Sequence, residues 1–180
     1  YFEDIEKVDS YDKFKPMLAH DYTKRPQDFG WSQPKLDGIR CIARKDGLYT
    51  RAGKAITTCD HISEDLKSFF EENPDIILDG ELYNHELKAD FNKITSLVRK
   101  VKPTEEEAQE CSELVQYWIY DMYDTMDPTE IFSFRIQFLD EELMTLYKSL
   151  EVVETAYCNN QNLLDRKYSD YTEAGYEGQM

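Results

Sequence analysis

Apolar and polar positions change period several times along the chain, and each change marks an element. Leu36-Asp37-Gly38-Ile39-Arg40-Cys41-Ile42-Ala43-Arg44 reads as a strand that starts at Lys35. Asp46-Gly47 reads as a hairpin turn, and Leu48 to Arg51 as the returning strand. Between His61 and Glu72 the period lengthens, putting Ile62, Leu66, Phe69 and Phe70 at helical spacing before Asn73-Pro74 ends the run. Ile76 to Tyr83 predicts the next strand, with Asp79-Gly80-Glu81 toward its end. Asp90 can cap a helix whose pattern is Phe91, Ile94, Leu97 and Val98.

An acidic segment, Glu105-Glu106-Glu107, precedes a third strand from Val115 to Asp121. From Thr129 to Leu150 the residues Ile136, Leu139, Leu143, Leu146 and Leu150 predict one face of a long helix. A short strand at Val152 to Ala156 and a helix from about Asn162 to Ala174, stopped by Gly175, complete the pattern. Strands arrive as hairpins and not in βαβ alternation, so the expected class is α+β with mostly antiparallel sheets. No repeat, low-complexity block or linker divides the chain.

With 180 residues, 41 % of them hydrophobic, the chain is long enough for one well-buried domain. It contains no apolar run of membrane-spanning length, and its first residues lack the basic and apolar regions of a secretory leader, so an intracellular protein is expected. Cys41, Cys59, Cys111 and Cys158 are scattered and form no CxxC pair, which argues against a zinc module or a disulfide scaffold. The net charge of −16 excludes a polyanion binder that relies on overall charge. Local basic patches remain at Lys24-Arg25, Arg44-Lys45 and Arg99-Lys100 with Lys102.

Lys35-Leu36-Asp37-Gly38-Ile39-Arg40 gathers a lysine, a carboxylate, a glycine and an arginine in six positions. A lysine amine attacks phosphorus only when neutral, and its ordinary pKa of about 10.4 means that a site must favour loss of its proton. Gly38 lets backbone approach a ligand, and Arg40 can hold phosphate or ribose oxygens. Arg51 in Arg51-Ala52-Gly53-Lys54 would return beside the lysine strand as a second cation. Glu81 suits a ribose hydroxyl or a metal, Tyr120 offers a ring to a base, and Glu177-Gly178 pairs a carboxylate with a glycine where Mg²⁺ can bind.

In order, KxDGxR, RxGK, DGE, an aromatic strand ending in Tyr-Asp, and EGxM resemble motifs I, III, IIIa and IV of the covalent lysyl-nucleotide transferases. These are the ATP-dependent DNA ligases, RNA ligases and mRNA capping enzymes. The resemblance runs from about Lys15 to Met180, and Lys15-Pro16-Met17-Leu18-Ala19 is similar to a segment ahead of the lysine in viral and phage DNA ligases. It implies an ATP-grasp-like adenylation domain that uses ATP and Mg²⁺ or Mn²⁺, acts on nicked double-stranded DNA and works as a monomer.

In that scheme Lys35 is the adenylated nucleophile, and Asp37 is needed for phosphoryl transfer. Gln33 meets the adenine amino edge, Arg40 the ribose or its phosphate, and Arg51 the AMP phosphate and then the 5′-phosphate of the nick. Glu81 accepts from a ribose hydroxyl, Tyr120 stacks on adenine, and Glu177 assists the metal.

Capping enzymes share KxDGxR. The EGxM and RxGK motifs, and Phe91 to Lys100 with its similarity to a basic helix of DNA ligases, favour DNA, with Arg99 and Lys100 as backbone contacts. RNA ligases usually carry a small polar residue where Arg40 stands. The family pattern continues with a motif V bearing two lysines and usually an OB-fold domain. The chain is therefore expected to be a fragment with weak or no activity alone. A catalytically silent ligase-like interaction module is the reading of another class, and the joint presence of Lys35, Asp37, Glu81 and Glu177 argues against it.

Overall fold

The computed structural model describes residues 14–143 and 147–180. Its centre is a six-stranded sheet in the order β5-β4-β3-β6-β7-β8. The strands are β3 (Ile39–Arg44), β4 (Gly47–Thr50), β5 (Ala55–Ile56), β6 (Ile76–Tyr83), β7 (Gln116–Asp124) and β8 (Leu150–Val152). All neighbours are antiparallel except β7 and β8. Two small antiparallel pairs stand apart from it: β1 (Gly30–Ser32) with β9 (Ala156–Cys158), and β2 (Pro34–Lys35) with β10 (Gly178–Gln179). Six α-helices are described: α1 (Asp60–Asp65), α2 (Lys67–Glu72), α3 (Phe91–Val98), α4 (Glu105–Leu114), α5 (Phe132–Leu143) and α6 (Gln161–Glu173).

Side chains alternate across a strand, so one sequence serves two faces. Cys41, Ala43, Leu48, Leu78, Leu82, Tyr117 and Ile119 point to one face. There they pack with Ile62, Leu66 and Phe69 of the first helices, Ile94 and Leu97 of α3, Cys111 of α4, and Ile136 and Leu139 of α5. The Tyr117 hydroxyl, fully buried there, donates to the Cys41 carbonyl at 3.1 Å. The intervening residues Arg40, Asp79 and Glu81 occupy the opposite face, where Arg40 lies across from Glu81 in the β3–β6 register. The register of β6 against β7 slips between Asp79 and Gly80, leaving Tyr120 as the extra residue of a bulge. A Cβ at Gly80 would lie 2.4 Å from the Trp118 carbonyl, so the bulge closes only around glycine.

Several elements depart from the sequence expectation. The strand expected from Lys35 to Arg44 is two strands in different sheets, because the chain bends at Leu36–Gly38. The Asp79-Gly80-Glu81 motif lies inside β6, not at its end. The helix expected over 61–72 is two short helices meeting at Leu66. The long helix expected to reach Leu150 is described from Phe132 to Leu143 and does not reach Leu150. Leu150 instead enters β8 opposite Tyr117, since a buried leucine satisfies a strand or a helix equally. Leu146 lies outside the described residues. The short strand expected at 152–156 resolves into β8 and β9 on either side of that stretch.

The acidic segment at 105–107 is the first turn of α4. Thr104 accepts from the Glu107 amide, the Glu107 carboxylate accepts from the Thr104 amide, and three glutamates face the positive end of the helix. The last helix ends as expected, with Gly175 at φ +91°.

Candidate active site

The strand of the candidate nucleophile is closed by the end of the described chain. Gly178 lies opposite Lys35 and Gln179 opposite Pro34, with the Glu177 amide donating to the Lys35 carbonyl at 3.1 Å. The backbones of Gln33 and Met180 exchange hydrogen bonds of 3.0 and 2.9 Å. Two motifs separated by about 140 residues of sequence are therefore neighbours on one ribbon, and the Lys35 ammonium forms an ion pair with the Glu177 carboxylate. These side chains are 38 % and 46 % exposed, so the pair adds little to stability. Its consequence is chemical, since Lys35 meets a ligand with a carboxylate already in contact.

At the bend, a Cβ on Gly38 would sit 2.4 Å from the Leu82 carbonyl and 2.7 Å from Glu81 Cγ. Only glycine lets the loop after Lys35 lie on β6 this closely. Burial pushes the Glu81 carboxyl up to about 7, against the opposing pull of the Gly38 amide, Arg40 and Lys35, with Asp79 adding repulsion.

Arg40 is gripped from two sides. Its Nε and Nη2 donate to Asp79 at 3.0 and 2.6 Å, and its Nη1 donates to the Met17 carbonyl at 2.5 Å. This planar grip fixes the guanidinium, whose centre also lies 5.8 Å from the Tyr120 ring centroid. Burial pulls the pKa of Arg40 down, but its bonds to Asp79 outweigh that effect and the net shift is upward. Burial raises the pKa of Tyr120, keeping its phenol neutral. The ring packs beside the small cluster of Leu36, Tyr83 and Val153, half-buried.

The Gln33 side chain donates through Nε2 to the Tyr120 carbonyl at 2.9 Å and to the Thr155 hydroxyl at 2.8 Å. A carbonyl can only accept, so the amide orientation is fixed by its partners. Thr155 in turn donates to the Val153 carbonyl at 3.0 Å. Both amide hydrogens are spent on protein, and Oε1 is left as an acceptor.

Arg51 is exposed in the turn after β4, one position past the Cys41–Thr50 pair and so toward Arg40. The turn is built by the Thr50–Lys54 and Gly53–Thr50 backbone bonds, both 2.8 Å, with Gly53 at φ +79°. A cleft of about 590 Å³ joins Gly38 and Arg40 to Arg51, Lys54, Arg99 and Lys100. The three basic residues expected at nucleic acid thus line one groove, with Lys100 held 2.7 Å from Glu107. Arg99 caps α3 and Lys100 lies beyond it, so they follow the helix. Asp37 is exposed at the bend.

Asp79 and Thr155 carry no distinctive signal as single residues, yet they set the orientation of Arg40 and Gln33. Asp79 was within reach of the sequence, since period two puts it on the face of Glu81. Thr155 was not, because its partner is 122 residues away.

The chain matches the model of the ATP dependent DNA ligase domain over residues 16–180, and it belongs to that family. No curated protein sequence matches it. Among solved structures it is similar to one described as Pmar-Lig_Pre., at 22 % identity and a TM-score of 0.70, over 91 % of this chain and 41 % of that one. A Lig E DNA ligase, from a study of DNA binding with a minimal scaffold, gives 23 % identity and a TM-score of 0.67, covering 92 % and 60 %. Chlorella virus DNA ligase-adenylate gives 19 % and 0.65, covering 92 % and 59 %. At these identities the likeness establishes the nucleotidyltransferase fold. The chain spans about two-fifths to three-fifths of the length of these proteins.

Proposed function

We propose that this chain is the adenylation domain of an ATP-dependent DNA ligase. The observation that carries the reading is the meeting of Lys35 and Glu177 on one ribbon, with Gly38 folding the next residues onto Glu81. The Lys35 ammonium first gives up a proton to the solvent. Its nitrogen lone pair then forms a bond to the α-phosphorus of ATP, the bond from that phosphorus to the bridging oxygen breaks, and pyrophosphate leaves with the electron pair. A second proton is lost as the phosphoramidate forms. In the later steps AMP passes to the 5′-phosphate of a nick, and the 3′-hydroxyl displaces AMP to seal the strand.

The remaining side chains position and neutralise. Gln33 Oε1 accepts from the amino group of adenine, and a guanine would present a carbonyl oxygen to the same acceptor. Tyr120 supplies the ring, Glu81 receives a ribose hydroxyl, and Arg40, held by Asp79, faces the ribose and phosphate. Arg51 lies between that pocket and the groove of Arg99 and Lys100, where it can hold the AMP phosphate and then the 5′-phosphate of DNA. Among the described residues no three His, Cys, Asp or Glu side chains gather as a metal cage. This suits Mg²⁺ or Mn²⁺ held by Glu177 together with substrate phosphates, where the cation would offset developing negative charge.

The test is incubation of the full-length protein with ATP or GTP and Mg²⁺, followed by peptide mass spectrometry and assays on nicked DNA and nicked RNA. AMP on Lys35 and sealing of the DNA nick are expected. GMP on Lys35 in preference to AMP would move the protein to capping chemistry, and sealing of RNA alone would move it to RNA ligation. Absence of any nucleotide on Lys35 would remove the reading.

A further inference from the structure

The turn that leads into Glu177 is held by a residue outside the motifs. Strand β6 carries Glu81 and continues through Tyr83 and Asn84 into a short 3-10 turn, His85–Leu87. There His85 reaches across to the end of α6. Its Nε2 lies 3.0 Å from the Ala174 carbonyl, its Nδ1 lies 2.8 Å from the Tyr83 hydroxyl, and its ring stacks on Tyr176 at 4.1 Å and 26°.

These partners assign the protons. A carbonyl only accepts, so Nε2 carries the hydrogen. Nδ1 of the neutral ring then accepts from the Tyr83 hydroxyl. Burial lowers the pKa of His85, and the nearby Lys88 ammonium acts in the same direction against the Ala174 bond. Lys88 also donates to the Ala174 carbonyl at 2.9 Å, so that carbonyl, at the end of a helix, receives two donors. Trp118 stands edge-on to Tyr83 at 5.2 Å and completes the aromatic wall.

The residue after Tyr176 is Glu177, whose amide donates to the Lys35 carbonyl and whose carboxylate pairs with Lys35. We propose that His85 is a positioning residue for Glu177, clamping the Ala174–Tyr176 turn so that the carboxylate is presented to Lys35. One strand and the turn that follows it then serve the site twice, with Glu81 directed at the nucleotide and, four residues on, His85 directed at the motif that closes over the nucleophile. The role of Glu177 in lysine adenylation rests on the function proposed above, whereas the anchoring itself does not.

The test uses the full-length protein and reads two quantities. Amide hydrogen exchange at Glu177 reports the anchor without any activity, and the rate of Lys35 adenylation reports its use. In His85→Ala, exchange at Glu177 is expected to quicken by about tenfold while amides of β3 and β6 keep their protection. The maximal rate of adenylation should fall by about tenfold with little change in the half-saturating ATP concentration. His85→Gln, which keeps a donor for Ala174, should restore part of both. Tyr83→Phe, a milder change that removes only the hydroxyl bonded to Nδ1, should move both in the same direction and serves if His85→Ala folds poorly. Unchanged Glu177 exchange in His85→Ala or, where that variant does not fold, in Tyr83→Phe overturns the inference. A wild-type protein that forms no lysyl adenylate, with exchange still quickened by the substitutions, overturns the function proposed above and leaves the anchor standing.

Discussion

The two faces of the six-stranded sheet are made from alternate residues of the same strands, yet they answer to different physics. Cys41 and Leu82 are sealed among helices on one face. Their neighbours Arg40 and Glu81 meet polar partners on the other. On the helix-covered face any side chain of suitable size and apolarity serves, because burial there is non-directional. On the open face Arg40 is held at fixed distances by Asp79 and Met17. The sheet therefore lets stability and chemistry be altered separately, except where backbone approaches backbone.

The sharpest separation is expected at Lys35. Lys35→Ala should abolish nucleotide attachment, because no other group replaces the amine. The midpoint of thermal unfolding should stay nearly unchanged, since the Lys35–Glu177 pair is open enough to solvent to be screened. Gly38→Ala should break the separation. The added methyl would sit 2.4 Å from the Leu82 carbonyl, so adenylation should fall to background and stability by about 1–3 kcal/mol together. Retained stability with lost adenylation in Gly38→Ala would show that β3 and β6 part easily at the bend.

The helix-covered face should give the opposite result. Leu139 is fully buried against the sheet, and Leu139→Ala should cost about 2–5 kcal/mol in denaturant unfolding. Adenylation per folded molecule should stay near wild type. A specific loss of that activity at full folding would mean that the helix layer reaches the site.

A smaller and salt-dependent effect is expected in the groove. Reversing charge at Arg99 and Lys100 should weaken binding to nicked DNA and reduce the slope of affinity against salt by about one for each phosphate no longer neutralised. Stability should hold, because both residues are exposed beyond the end of α3. Unchanged nick binding would leave the groove to Arg51 and Lys54 alone.

The sequence was most informative where chemistry is compressed. Lys35 to Arg40 lie within six positions, and Gly38 and Gly80 reflect close approaches that only a missing side chain permits. The hairpin at Asp46-Gly47 and strand β6 were legible because turn chemistry and local pattern agree there. Leu150 was misplaced because burial alone does not distinguish a helix from a strand. The acidic run at 105–107 hid a helix whose signal was the Thr104–Glu107 capping box and not apolar period. Thr155 orienting Gln33, and His85 reaching Ala174, depend on pairings across 122 and 89 residues, which no local pattern encodes.

The mildest test concerns the carboxyl of Glu81, an open-face residue whose proton burial holds. Its folded-state value of about 7 lies above the ordinary 4.5, so the folded protein holds the proton more tightly than the unfolded chain does. The stability this gives is complete below about pH 4.5 and is lost as pH rises through about 7. Nucleotide binding should run the other way, because a ribose hydroxyl donates best to the ionised carboxylate. Affinity for ATP should therefore rise a few-fold between about pH 6 and pH 8, with proton release in calorimetry. Glu81→Gln removes the titration and should flatten both the affinity profile and this part of the stability profile. A profile that keeps its rise in Glu81→Gln would assign the titration to another group.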